Sequence, residues 1–219
     1  MPRNEYQNQL ETLRTDVLEM SEIVQGRLEG ALEAFETGNV ERAEAIIEGD
    51  HEINELYLTL EQNCIELFAL QQPVADDLRF IASTFKIITD LERIGDLATN
   101  VGKHTTHVGQ TRYPDIEIPE VGGYALEMLE TAMTAYAEDN VAATYEVARM
   151  DEVLDTLCEE ASAVVVEDLL EREAGDGTLF EDVSRVLLTL RDIERVGDHA
   201  VNVSARTLYM IENDDELIY

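Results

Sequence analysis

Asp90-Leu-Glu-Arg-Ile-Gly-Asp96-Leu-Ala-Thr-Asn100 returns almost unchanged as Asp192-Ile-Glu-Arg-Val-Gly-Asp198-His-Ala-Val-Asn202. Matched positions stand 102 residues apart (194 − 92 and 198 − 96 agree), so the chain of 219 residues reads as a duplication. Each copy then has about a hundred residues, an ordinary size for one small folding unit. The expected units are residues 1–112 and 113–219. Around the repeat, apolar residues recur at three- and four-residue steps along nearly the whole chain, and β-branched alternating runs are absent. The reading is all-α.

The breaks in that periodicity place the helices. A first helix from about Asn4 to Thr37 stops at Gly38-Asn39, a pair suited to a left-handed helix end. A second from about Val40 to Gln72 ends before Pro73, which fits the first turn of a third helix running to about His107. Gly109 to Pro119 holds two prolines and a glycine and is expected to link the units. The second unit repeats the plan: a helix over about 120–138, a long one from Val141 to about Glu173, the turn Ala174-Gly-Asp-Gly177, and a last helix to about Ile211. Three long helices with short connections favour an antiparallel bundle, so the expected architecture is two tandem three-helix bundles related by internal pseudo-symmetry.

The formal charge of −33, from 48 acidic and 15 basic residues, argues against nucleic acid or an anionic membrane surface as partner. Self-repulsion of that size is tolerable where concentrated salt shortens the screening length to a few ångströms, so the composition points to a halophilic source. A folding series in salt separates this from an acidic mesophilic protein. No basic start precedes an apolar run of signal-peptide length, and no stretch approaches 18 uninterrupted apolar residues, so the expected location is the cytoplasm. Cys64 and Cys158 are out of register with the repeat and are read as small core side chains.

The third helix of each unit carries a seam: Leu78, Ile81, Phe85, Ile88, then Glu92, Gly95 and Thr99, and in the second copy Phe180, Val183, Leu187, Leu190, then Glu194, Gly197 and Val201. A carboxylate interrupts the apolar stripe both times, with Asp96 or Asp198 one turn on, about 6 Å away along the axis. At an effective dielectric near 20, two such charges repel by roughly 3 kcal/mol, which calls for a cation. Arg93 and Arg195 adjoin the pairs, but a residue next to Glu lies about 100° round the helix, so neither aims naturally at its own cluster. The second helices supply Asp50 with Asn54, and Asp151 with Asp155, at a one-turn spacing. Facing sets of this kind would build an oxygen-rich site for iron, zinc, manganese or magnesium. Asn100 and Asn202 lie one turn further and are candidates for a second tier of ligands or for supporting hydrogen bonds. Gly95 and Gly197 suggest close approach by another backbone or an ion.

Among the histidines, His51 completes one Glu48-x-x-His51, the spacing of di-iron carboxylate bundles, but such sites need two elements and only one is present. A ferritin-like redox protein is therefore the alternative reading. His104, His107 and His199 have no counterpart histidine in the other copy and are read as surface or packing residues. No Gly-rich phosphate loop and no nucleophile triad signature occurs.

Asp50-His-Glu-Ile-Asn54, Gln71-Gln-Pro73-Val-Ala-Asp-Asp77-Leu-Arg79, Leu91-Glu-Arg-Ile-Gly-Asp96 and Ile193-Glu-Arg-Val-Gly-Asp198 together resemble the PhoU family of phosphate-uptake regulators over essentially the full length. The resemblance implies two similar three-helix bundles holding multinuclear metal clusters, with Glu92, Asp96 and Asp50 lining one and Glu194, Asp198 and Asp151 the other. It also implies an adaptor, not an enzyme, that works beside the ATPase subunit of the phosphate ABC transporter and, in many bacteria, a phosphate-sensing histidine kinase, repressing starvation genes and limiting uptake. It weakly suggests a homodimer. The second unit departs from the pattern, with Glu173-Ala-Gly and Leu179-Phe-Glu181 where the first has Gln-Gln-Pro and Asp-Leu-Arg.

Overall fold

The computed structural model describes residues 3–70, 75–106, 118–171 and 177–218, and among them there is no β-strand. Among the described residues seven helices follow one another: α1 Arg3–Thr37, α2 Val40–Glu48, α3 Asp50–Leu70, α4 Ala75–Thr105, α5 Ile118–Glu138, α6 Val141–Glu171 and α7 Gly177–Glu212. The turns after α1 and α5 are built alike. Gly38 (φ 66°) and Asp139 (φ 53°) adopt the left-handed conformation. The following asparagine in each case caps the next helix: Arg42 N–H donates to Asn39 Oδ1 at 3.0 Å and Ala143 N–H to Asn140 Oδ1 at 3.3 Å. Pro73, most of the Gly109–Pro119 linker and the turn before Gly177 lie outside the described residues, except that Ile118 and Pro119 open α5.

One expectation is corrected. The second helix of the first unit is not continuous to Gln72 but divides at Gly49, whose N–H bonds Ala45 O at 3.1 Å as a helix end. The Arg27 guanidinium lies against this glycine, so a Cβ there would stand 2.9 Å from Arg27 Nη1. In the second unit Met150 occupies the matching place and α6 runs through it unbroken.

α1, α3 and α4 pack together with α2, and α5, α6 and α7 form the second bundle. The bundles also share a broad face, α4 against α7 and α1 against α5, so that one continuous apolar core spans both. Val17, Met20 and Val24 of α1, Leu91 and Ile94 of α4, Met128 and Leu129 of α5 and Val203 of α7 are all fully enclosed. Burial of such side chains, at about 2 kcal/mol each, dominates the stabilisation of the fold. The seam does not begin where the heptad reading put it: Leu78 and Phe180 sit in the first turns of α4 and α7 and are exposed, and burial starts at Ile81 and Val183. Cys64 and Cys158 are buried and free, as expected, with burial pushing both thiols up to about 12.

Polar contacts stitch the shared face. Arg14 of α1 donates to Tyr136 O (2.7 Å) and Ala137 O at the end of α5, and pairs with Asp139 Oδ1 at 3.0 Å. Its guanidinium also lies 5.2 Å from the ring centroids of Phe80 and Tyr136, while the Tyr136 hydroxyl meets Thr84 Oγ1 at 2.9 Å. No described helix is long and apolar enough to cross a membrane.

Candidate metal centres

Each acid cluster lies where the second long helix of a unit faces the third. In the first unit Asp50 opens α3, directly after the break at Gly49, and Glu92 and Asp96 face it from α4. In the second, Asp151 and Asp155 of α6 face Glu194 and Asp198 of α7. The two seam glutamates differ in exposure: Glu92 is half-buried, whereas Glu194, like Asp96, Asp155 and Asp198, is exposed. Asp50 and Asp151 are likewise half-buried. The clusters therefore line outer clefts between helices, open to solvent along one side.

The electrostatics show that each set acts as a unit. Partial burial first, then the Asp96 charge, raises the Glu92 carboxyl above its ordinary range; Arg93 opposes, Asp50 adds and His199 opposes. Burial and then Asp50 raise Asp96 against Lys103. In the second unit Asp151 is pushed up to about 6, by burial first and then by Asp155, Asp198 and Glu194. Burial followed by the Asp155 charge also raises Glu194 and Asp198. Asp155, Asp198 and Glu194 together raise the proton affinity of Asp151, an arrangement that favours any cation able to displace the proton.

Arginine does not fill these clefts. Arg195 turns back one turn to Asp192 Oδ1 at 3.6 Å, and Arg93 is exposed with no ion pair to the cluster acids among the described residues. What the two clefts offer an ion differs. Thr99 donates to Asp50 Oδ1 at 2.8 Å, and the Asn54 amide donates to Asp50 Oδ2 at 3.1 Å, so both Asp50 oxygens are engaged. Asp151 Oδ1, by contrast, is buried without a hydrogen-bond partner. An orphaned carboxylate oxygen amid three further carboxylates is the donor chemistry that a hard cation requires. The residues present thus fit a metal, the second cluster more fully than the first. As the side chains stand, no set of three or more described Asp, Glu, His or Cys residues already converges on a single ion.

The recurring glycines serve packing. A Cβ on Gly95 would stand 2.8 Å from Ile53 Cδ1, and one on Gly197 2.4 Å from Leu154 Cδ2. An aliphatic side chain of the neighbouring helix, not a backbone or an ion, takes the space, although the same Gly197 position lies 3.4 Å from Asp151 Oδ1. Nor do the two asparagines one turn on reach the acids. Asn100 accepts from Lys103 at 3.4 Å, and Asn202 points to Asp90 Oδ1 at 3.4 Å across the shared face. His51 is exposed and its Nδ1 meets Glu48 O at 2.8 Å, a local helix contact.

A helical duplication with a matched acid cluster in each half accords with a family pattern described as PhoU domain, which matches residues 17–105 and again 118–207. The chain belongs to the PhoU family. It is 33% identical over 214 residues to a phosphate-specific transport system accessory protein PhoU homolog of Clostridium acetobutylicum, covering 96% of each chain. A PhoU homolog of Thermotoga maritima is 30% identical, covering 94% of this chain and 88% of its own. The crystal structure of PhoU from Pseudomonas aeruginosa superposes with a TM-score of 0.89 at 28% identity, covering 95% of this chain and all of that one.

Within this PhoU chain, sequence reasoning missed a buried polar link between the units. Asp90 of α4 and His199 of α7 are both buried, with His199 Nδ1 2.9 Å from Asp90 Oδ1. Across the pseudo-axis, His104 Nδ1 lies 3.1 Å from Thr189 Oγ1 and 3.9 Å from Asp192 Oδ2. The signal was present, since Asp90 and Asp192 open both copies of the repeat, yet the histidines opposite them do not recur at matched positions.

Proposed function

We propose that the protein is a cytoplasmic regulator of phosphate uptake and phosphate-starvation signalling that acts by binding, not catalysis, as an accessory to the phosphate ABC transporter. The observation carrying this reading is the match, over 96% of the chain, to a protein named as a phosphate-specific transport system accessory protein, on a fold whose two halves each carry an acid cluster. The ATPase subunit of that transporter is the proposed partner, with a phosphate-sensing kinase or regulator downstream.

Metal clusters of iron or zinc, with manganese or magnesium as alternatives, would be held by Glu92, Asp96 and Asp50 in one unit and by Glu194, Asp198, Asp151 and Asp155 in the other. When bound, the ions supply charge neutralisation across each helix pair. The carboxylates themselves set the spacing of α3 to α4 and of α6 to α7, and thereby the outer surface that partners read. Deleting the gene should raise phosphate uptake and derepress starvation genes in phosphate-replete cells, and the tagged protein should co-purify with the transporter ATPase. Unchanged uptake together with no recovered ATPase rejects the regulator. Elemental analysis of protein purified without chelators tests the metal independently.

A further inference from the structure

The first unit's cluster counts three carboxylates, Asp50, Glu92 and Asp96, with Asn54 and Thr99 beside them. The second counts four, because Asp155 stands at the position of Asn54 and acts on Asp151, Glu194 and Asp198 alike. Val201 replaces Thr99 at the matched position (201 − 99 is again 102), which removes the hydroxyl donor. One exchange thus adds a charge, and the other leaves Asp151 Oδ1 without the bond that Asp50 Oδ1 receives.

The cationic background does not offset this difference. Arg93 and Lys103 act on the first cluster, Arg191 and Arg195 on the second, and His199 faces both. Two arginine or lysine charges on either side cancel in the comparison. What remains is ligand charge and ligand availability, the quantities that set the affinity of oxygen sites for hard cations, with Glu152 and Glu159 adding further negative charge beside the second cluster.

We propose that the two clusters are graded ion sites: the α6–α7 cluster, with four carboxylates and an unpartnered Asp151 oxygen, fills first, and the α3–α4 cluster fills later because Thr99 and Asn54 hold Asp50. Asn54 and Thr99 are positioning residues, and the Asn54 and Asp155 pair determines the order. The effect of one added carboxylate at an oxygen site is on the order of tenfold in dissociation constant. The grading rests on the metal-binding part of the proposed function. It gives a phosphate-signalling adaptor two thresholds for one ion, each confined to one half of the molecule.

The test titrates manganese(II) into the full-length, chelator-stripped protein at high salt, read by equilibrium dialysis and by the loss of the free-ion electron paramagnetic resonance signal. Two classes of site separated by about tenfold are expected. Asp155→Asn should weaken the tighter class and bring the two together, while Asn54→Asp combined with Thr99→Val should strengthen the weaker class and leave the tighter one unmoved. Circular dichroism checks that each variant keeps its helical fold. A single class in the parent chain overturns the grading while leaving metal binding intact, as does a tight class that survives Asp155→Asn. No manganese binding at any concentration would remove the metal reading and the grading together.

Discussion

Asp50 and Asp151 occupy the same place in the two units and live in opposite circumstances. The first is engaged by a hydroxyl and an amide; the second has a buried oxygen with no partner and three carboxylates around it. A similar divergence separates Asp90 from Asp192. Asp90 is bonded by buried His199 and approached by Asn202, whereas Asp192 has His104 at 3.9 Å and the half-exposed Arg195 at 3.6 Å. The two copies share the Asp50/Asp151 and Asp90/Asp192 acids, but not the residues that satisfy them. Pseudo-symmetric helices therefore carry unequal electrostatics.

The sharpest way to break this comparison is at the shared face. Asp90→Ala should destabilise the protein by about 3 kcal/mol in urea unfolding, because it strands a buried imidazole. Asp192→Ala should cost only about 1 kcal/mol, since its contacts are longer and its Arg195 partner is half-exposed. Equal losses would mean the buried pair carries no special weight. Next come the glycines. Gly197→Ala, which meets Leu154 Cδ2 at 2.4 Å, should destabilise by about 2 kcal/mol, and Gly95→Ala, which meets Ile53 at 2.8 Å, by less. Part of each loss is returned as helix propensity, about 1 kcal/mol. Thermal melts of the pair would reveal a reversed order if Leu154 can turn aside and Ile53 cannot.

A smaller effect distinguishes the clusters by pH. Because the folded Asp151 carboxyl sits at about 6, above its unfolded value, the native state binds more protons between about pH 4 and 6. Metal-free protein should therefore lose stability as pH rises through that window, and Asp151→Asn should flatten the slope. A melting temperature that climbs from pH 4 to 6 in the metal-free parent, with no change in Asp151→Asn, would contradict the assignment. The least effect belongs to Arg195→Gln, expected within about 0.5 kcal/mol because its side chain is 49% exposed and its ion pair long.

Much of the molecule is legible without coordinates because its signals are local or periodic. The helix ends at Gly38 and Asp139 follow from turn chemistry within four residues, and the duplication follows from direct comparison of two strings. The break at Gly49 was hidden because a single glycine inside an apolar period weakens a helix without ending it. Only the fold brings Arg27, on another helix, against that glycine. Leu78 and Phe180 obey the heptad yet remain exposed, since periodicity says which face a residue is on but not how far the covering helix reaches.

The sequence by itself determined the helical class, the internal repeat, the acid pairs and the family, all of which depend on residue identity and spacing along one chain. Tertiary structure alone decided which donors meet Asp50, which oxygen of Asp151 goes unpaired, and that His199 crosses to Asp90. These depend on the rotation of one helix against another. A change of a few degrees there moves a side-chain tip by the ångström that separates a hydrogen bond from a gap. No period within a single helix encodes that angle.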